Sequence, residues 1–265
     1  MNENQIGSQE YQNHRVFREI EEYRDFYEKI AYTCFRFVPT GITGIVNYES
    51  YIFESLRGTL DSIQLLLKAG QLTDAFALVR KYYDDVLIEI YFDVVRKEKF
   101  DWMSNKPVQD VDNWLKREQW IPRVEKILIV LKESETTSEL YPFFGWDTYL
   151  KKNRGALDST VHTSRFSNML MNCKDVANVN RIQQLNNVST LLKQMFTIHL
   201  AFIFHLNGHY LMATDYSEYL DVGLTPPEGL EKKMAPYTQE AFDKYIKPHE
   251  KLALFIKERC SLNIE

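Results

Sequence analysis

The chain has 265 residues, of which 45 % are apolar, and carries a formal net charge of −5. That length allows one large domain or two small ones around a sizeable core, and the apolar share excludes a disordered chain. The acidic balance argues against a general nucleic-acid coat protein, while leaving room for a local basic patch.

Three cysteines, Cys34, Cys173 and Cys260, lie far apart and form no CxxC pair, so they read as reduced thiols of a cytoplasmic protein. The opening MNENQIGSQEYQNHR is polar and has no apolar signal core. Leu191 to Ala213 is the most apolar stretch, but Lys193, Gln194, His199, His205, Asn207 and His209 interrupt it. A spanning helix needs roughly 20 mostly apolar residues, so the stretch predicts the central helix of a soluble core, with no membrane partner.

Helical periodicity dominates from the start. Phe17, Ile20, Tyr23, Tyr27, Ile30, Cys34 and Phe37 recur at steps of three and four, and Pro39 and Gly41 end that helix. A second runs from about Asn47 to Ala69 on Ile52, Leu56, Leu60, Ile63 and Leu67, with Gly70 as its C′ residue. The third spans about Thr73 to Lys99. Lys81, Asp85, Glu89, Asp93 and Arg96 mark its solvated face, and Phe76, Val79, Tyr83, Val86, Leu87, Ile90, Tyr91 and Val94 fill the opposite arc. Arg80 falls inside that apolar arc with Asp84 one turn later at its edge. It is therefore expected to be buried and partnered.

Between Trp102 and Ser138 the pattern breaks, with one short helix around Val108 to Glu118 and another over about Pro122 to Lys132. YPFFGWDTYLKKNRG reads as a mixed aromatic loop and short helix. Helix resumes at about Asp158 and again from about Val179 to Leu220, bent near Gly208. VGLTPPEGLEKKMAP is a long loop, after which Pro236 and Pro248 open two closing helices. The expected fold is all-α: a single large helical bundle with long antiparallel helices. Its core lies at about 10–100 and 155–221, with an irregular insertion at about 101–150 and a C-terminal helical extension at about 236–261.

The chemistry concentrates in KKNRGALDSTVHTS, Lys151 to Ser164. Gly155 disfavours a helix interior and Asp158 or Ser159 suits an N-cap, so the helix is predicted to begin after Arg154. Its free N–H groups would then face a phosphate, with Lys151, Lys152 and Arg154 in the entering loop and His162 one turn in. RNA cleavage without a metal needs a base for the 2′-hydroxyl, an acid for the leaving oxygen and a cation for the phosphorane. Histidine suits the proton transfers and arginine the charge. Lys151 and Lys152 would steer RNA, Ser159 or Thr163 would orient the group, and Arg80 with Asp84 would support the site. The same residues also read as surface cations and a structural histidine around a helix start, and the Arg80–Asp84 pair as an ion pair that specifies the bundle.

His205 and His209 stand at i,i+4, the spacing that lets two imidazoles share one metal, with Asp215 and Glu218 downstream as oxygen donors. No glutamate lies inside the pair and Gly208 interrupts it, so a packed histidine pair is the competing reading. No Walker loop, GxGxxG, GxSxG or CxxC is present, and no cofactor is expected. LYPFFGW, Leu140 to Trp146, is a candidate docking patch.

The arginine–acid helix LVRKYYDD, Leu78 to Asp85, followed later by Arg154 and His162, resembles the HEPN superfamily. The resemblance implies an all-α bundle that cleaves RNA without metal, with arginine and histidine of two protomers meeting at a homodimer interface. It also implies a setting in bacterial stress or phage defence, as in toxin–antitoxin and CRISPR systems, with an antitoxin or other protein partner. Seven residues separate Arg154 from His162, more than that motif usually has, and Gly155 stands where Asn, Asp or His is usual. Two other readings are a non-catalytic interaction module, used for self-association or for docking a partner, and a metal-dependent hydrolase built on His205, His209 and Asp215.

Overall fold

Why the second predicted helix stops where it does is visible at Gly70. Its φ of 76° is a left-handed conformation that disfavours side chains, and a Cβ there would lie 2.2 Å from Ile6 Cδ1. Gly70 N donates to Leu67 O at 2.9 Å and Gln71 N to Leu66 O at 2.8 Å, the paired bonds of a Schellman C-cap. The computed structural model that shows this describes residues 5–36, 48–101, 103, 108–162, 164–173 and 180–265.

The helices follow in chain order. α1 is Gln9–Gln12, α2 Arg15–Arg36, α3 Tyr48–Lys68 and α4 Leu72–Lys99. α5 is Gln109–Leu115, α6 Val124–Glu133, α7 Lys151–Val161 and α8 Phe166–Met171. α9 is Arg181–Leu206, α10 Asp215–Asp221, α11 Pro236–Ala241 and α12 Glu250–Arg259. The fold is all-α; among the described residues β pairing is confined to two isolated bridges, Met212 with Met234 and Lys233 with Asn263. No described helix is long and apolar enough to cross a membrane. The expected helix from Val179 to Leu220 ends instead at Leu206, because Asn207 leaves helical geometry before the 3-10 turn Gly208–Leu211. Phe37, Pro39, Gly41, Asn47, Trp102, Thr163 and Val179, on which several sequence readings rest, lie outside the described residues.

The chain divides into two compact units. The first comprises Met1–Tyr27, Glu54–Val86 and Gly145–Phe196. Its core is aromatic: Phe196 stacks on Tyr23 with ring centroids 4.4 Å apart and meets Phe26 and Tyr27 edge-on. The Tyr27 and Tyr82 hydroxyls, 2.8 Å apart, satisfy each other inside it. Arg24 joins Asp61 at 2.7 Å, tying α2 to α3 within the unit.

The second unit comprises Glu28–Phe53, Leu87–Phe144 and Thr197–Glu265. Leu200, Ala201, Phe202, Ile203 and Phe204 are all buried, so this stretch of α9 is covered on every side. Phe144 lies against Phe202, and Phe204 against Phe242. Leu140, Tyr141 and Phe144 are buried here, and Trp146 is buried in the first unit, which corrects the reading of LYPFFGW as an exposed docking patch. Only Phe143 of its aromatics is exposed, because the segment spends its apolar area on the core.

Candidate functional site

The sequence of the first unit sets up a helix at the motif despite Gly155. Trp146 and Leu150 are buried in a single π turn, Trp146–Leu150, that leads directly into α7, where Leu157 and Thr160 continue the buried stripe. Gly155 is exposed and nothing would lie within 4 Å of a Cβ there. Its propensity cost of roughly 0.5–1 kcal/mol is outweighed by burial of the flanking apolar side chains. The helix therefore begins at Lys151 and not after Arg154, which corrects the predicted start. Asp158 and Ser159 are helix-interior residues rather than N-caps.

This changes the local electrostatics. His162 is the C-cap of α7, its backbone N–H donating to Asp158 O at 3.2 Å. The free groups at this end of the helix are carbonyls, so the dipole end beside His162 repels an anion, the reverse of the phosphate-facing N-terminus expected. With α7 running unbroken between them, the step of eight positions from Arg154 to His162 sets the two about 12 Å apart along the axis and about 80° around it.

Arg154 is instead part of a closed ring of four charges. Arg80 donates from Nε to Asp158 Oδ1 at 2.6 Å, and its Nη1 pairs with Asp84. Arg154 Nε lies 3.5 Å from Asp84 Oδ1 and its Nη1 3.9 Å from Asp158 Oδ2. Each cation thus faces both carboxylates. Arg80 is 8 % exposed, as its place on the apolar arc predicts, and its partners are Asp84 and Asp158. Burial alone would lower the Arg80 pKa, and the hydrogen bonds it donates to Asp84 and Asp158 lift it above the ordinary value.

Around the ring, α8 is clamped from three sides. Asn168 Nδ2 donates to Ser159 O at 2.6 Å, and Thr73 Oγ1 donates to Asn168 O. Thr73 N donates to Asn172 Oδ1 at 2.8 Å, so a side chain just past α8 caps the start of α4. Buried Arg181 donates to Met171 O at 3.1 Å and Cys173 O at 2.7 Å, covering the carbonyl end of α8. Ser159 donates its hydroxyl to Ala156 O, within its own helix. Lys151, Lys152, His162 and Arg165 are exposed, as are Val161, Phe166 and Met169.

The histidine pair does not converge. His205 Nε2 is 2.6 Å from Thr136 O, and Asp215 pairs with Lys233 at 2.7 Å. No group of three His, Cys, Asp or Glu among the described residues is placed to hold a metal ion, so the site built on His205, His209 and Asp215 is not formed.

A second cluster, in the second unit, was read wrongly from periodicity. Glu89 and Asp93, assigned to the solvated face of α4, are 1 % and 2 % exposed. His199 Nε2 lies 2.8 Å from Glu89 Oε2, and Asn207 Nδ2 donates to Asp93. Arg96 reaches Glu49 at 2.5 Å, Asp93 at 3.2 Å and Asn207 Oδ1 at 2.8 Å. A signal for this burial is present in the local composition: in LIEIYFDVV apolar residues flank each acid on both sides. Every residue from Ile90 to Val95 is buried, so this part of α4 has no wet face.

No protein-family model, no curated protein and no solved structure matches the chain.

Proposed function

We propose that the chain is a HEPN-like helical interaction module that associates with a second copy of itself, and that its arginine–histidine motif serves structure rather than catalysis. The observation that carries this reading is the ring of Arg80, Asp84, Arg154 and Asp158, in which the motif arginine faces two carboxylates of its own chain. A guanidinium so neutralised is poorly suited to stabilise a phosphorane, because an incoming phosphate must first displace both carboxylates. Val161, Phe166 and Met169, exposed beside the motif, supply apolar area for self-association; Phe166 is 73 % exposed.

Hydrodynamic mass tests the module directly. The wild type is expected to sediment as a dimer at micromolar concentration, and Phe166→Asp with Met169→Asp as a folded monomer. A wild-type monomer across that range would discard this reading.

A second reading is an RNA-directed effector of bacterial stress or phage defence. It is favoured by one observation, the exposure of Lys151, Lys152, His162 and Arg165 along a single stretch. Cleavage of a mixed RNA pool in EDTA, lost in His162→Ala while its melting temperature is kept, would establish that reading and retire the structural one. Arg154→Ala is the less informative variant, because it also opens the ring.

A further inference from the structure

The apolar face of the first unit sits among cations. Val161 ends α7, and Phe166 and Met169 stand at i,i+3 on α8, all exposed. Exposed Arg165 precedes Phe166, and exposed Lys151 and Lys152 open α7. From Lys151 to Cys173 the sequence holds four Lys or Arg and a single acid, Asp158, which is already engaged by Arg80. Two such faces placed against each other would oppose like charges, which an interface does not tolerate without cost. Their complement should be apolar at its centre and acidic around it.

The second unit carries that combination. Every residue from Glu218 to Thr225 is exposed, among them Tyr219, Leu220, Val222 and Leu224, with Val222 at 69 %. Four large apolar side chains uncovered within six positions make a patch of the kind that marks an interaction surface. From Asp215 to Glu231 the sequence holds five acids and no Lys or Arg. The segment is tied down at its base. Ala213 N donates to Lys233 O and Ala235 N to Leu211 O, both at 2.9 Å, and Lys233 pairs with Asp215 at 2.7 Å. At the end of α10, Gly223 N donates to Leu220 O at 3.0 Å and Leu224 N to Tyr219 O at 2.9 Å. These are the bonds of a Schellman turn, which leads the chain back over the helix end and returns Leu224 toward Tyr219. The face is therefore built before any partner arrives, as is the face on α8, which Thr73 and Arg181 hold in place.

We propose, resting on the self-association above, that the acidic apolar face at 218–224 of one copy docks on the basic apolar face at 161–169 of a second copy. Each copy offers both faces, so two such contacts close a pair. Leu220 and Val222 meet Phe166 and Met169 at the dry centre, and Glu218 and Glu228 meet Lys152 and Arg165 at the rim. Opposite charge steers the two faces together, and like charge keeps either face from pairing with its own kind.

Sedimentation velocity of the full chain over the micromolar range tests the pairing, with circular dichroism reporting whether each variant is folded. The wild type is expected to be a dimer. Phe166→Asp with Met169→Asp, and separately Leu220→Lys with Val222→Lys, are each expected to give a folded monomer. A dimer that survives the Leu220 and Val222 changes overturns the pairing and leaves self-association standing. One that survives only the Phe166 and Met169 changes assigns the acidic face to itself and overturns the pairing too. A wild-type monomer removes self-association and the pairing together; if that monomer binds single-stranded RNA, the basic face belongs to nucleic acid. Charge exchange decides the matter if an apolar variant does not fold. Lys152→Glu with Arg165→Glu, and Glu218→Lys with Glu228→Lys, alter exposed positions only. At low salt each set is expected to weaken the dimer about tenfold, and all four changes in one chain to restore most of that loss. Losses that simply add overturn the pairing.

Discussion

Arg80 on α4 and Asp158 on α7 meet at 2.6 Å, Nε to Oδ1, across 78 residues of chain. This one bond brings together the two segments on which the sequence reading rested, LVRKYYDD and KKNRGALDSTVH. It joins them through Asp158, a residue expected to cap a helix, and not through the histidine. The geometry accounts for why a charged side chain sits in an apolar arc: Arg80 is the buried pivot of the ring, while Asp158 and Arg154 keep contact with solvent.

Removing Asp158 is therefore expected to hurt stability more than a surface ion pair would. Asp158→Ala leaves Arg80 buried with one carboxylate fewer, costing about 1–3 kcal/mol. A double-mutant cycle of Arg80→Ala and Asp158→Ala, read by urea denaturation, is expected to show a coupling of about 1–2 kcal/mol. A coupling indistinguishable from zero would mean that the ring contributes nothing to folding.

Gly155 offers the opposite sign. It lies inside α7, exposed, with open space where a Cβ would go, so Gly155→Ala is expected to stabilise the protein by about 0.5–1 kcal/mol. Thermal melts of the two proteins settle it. Destabilisation would show that the segment is not helical there.

Gly70 is the contrast. Its left-handed φ and the 2.2 Å approach to Ile6 Cδ1 both oppose a side chain. Gly70→Ala is expected to cost about 1–2 kcal/mol from backbone strain, with displacement of Ile6 adding to that. A neutral result in the same melts would contradict the Schellman cap.

Acid sensitivity is expected from His209, which burial pulls down to about 4, with Arg96 and Lys97 acting in the same direction. The folded state binds the proton later than the unfolded chain does. Stability held above pH 6.5 is therefore lost as pH falls toward 4. His209→Gln is expected to recover about 1–3 kcal/mol of the loss at pH 4 while changing little at pH 7.5. Equal acid losses in both proteins would assign the effect to other groups.

Much of this architecture is determined by local sequence alone. α2, α3 and α4 lie within one or two residues of the ends expected from apolar steps of three and four, where those ends are described, and Gly70 terminates α3 as its lack of a Cβ demands. Burial of Arg80 was also legible, since a charge within an apolar stripe follows that stripe inward. These features depend on neighbours one turn away, and a sequence lists such neighbours directly.

Tertiary structure decided the rest. Periodicity marks a polar stripe but not what lies against it. Lys81 and Asp85 pair with each other on the α4 stripe, while Glu89 and Asp93 a turn or two further on are buried beside His199 and Asn207, more than a hundred residues away in the chain. At α7, the poor helix propensity of Gly155 placed the helix start after Arg154. Burial of Trp146, Leu150 and Leu157 carried the helix through Gly155, because packing of large side chains outweighs a fraction of a kcal/mol of backbone preference.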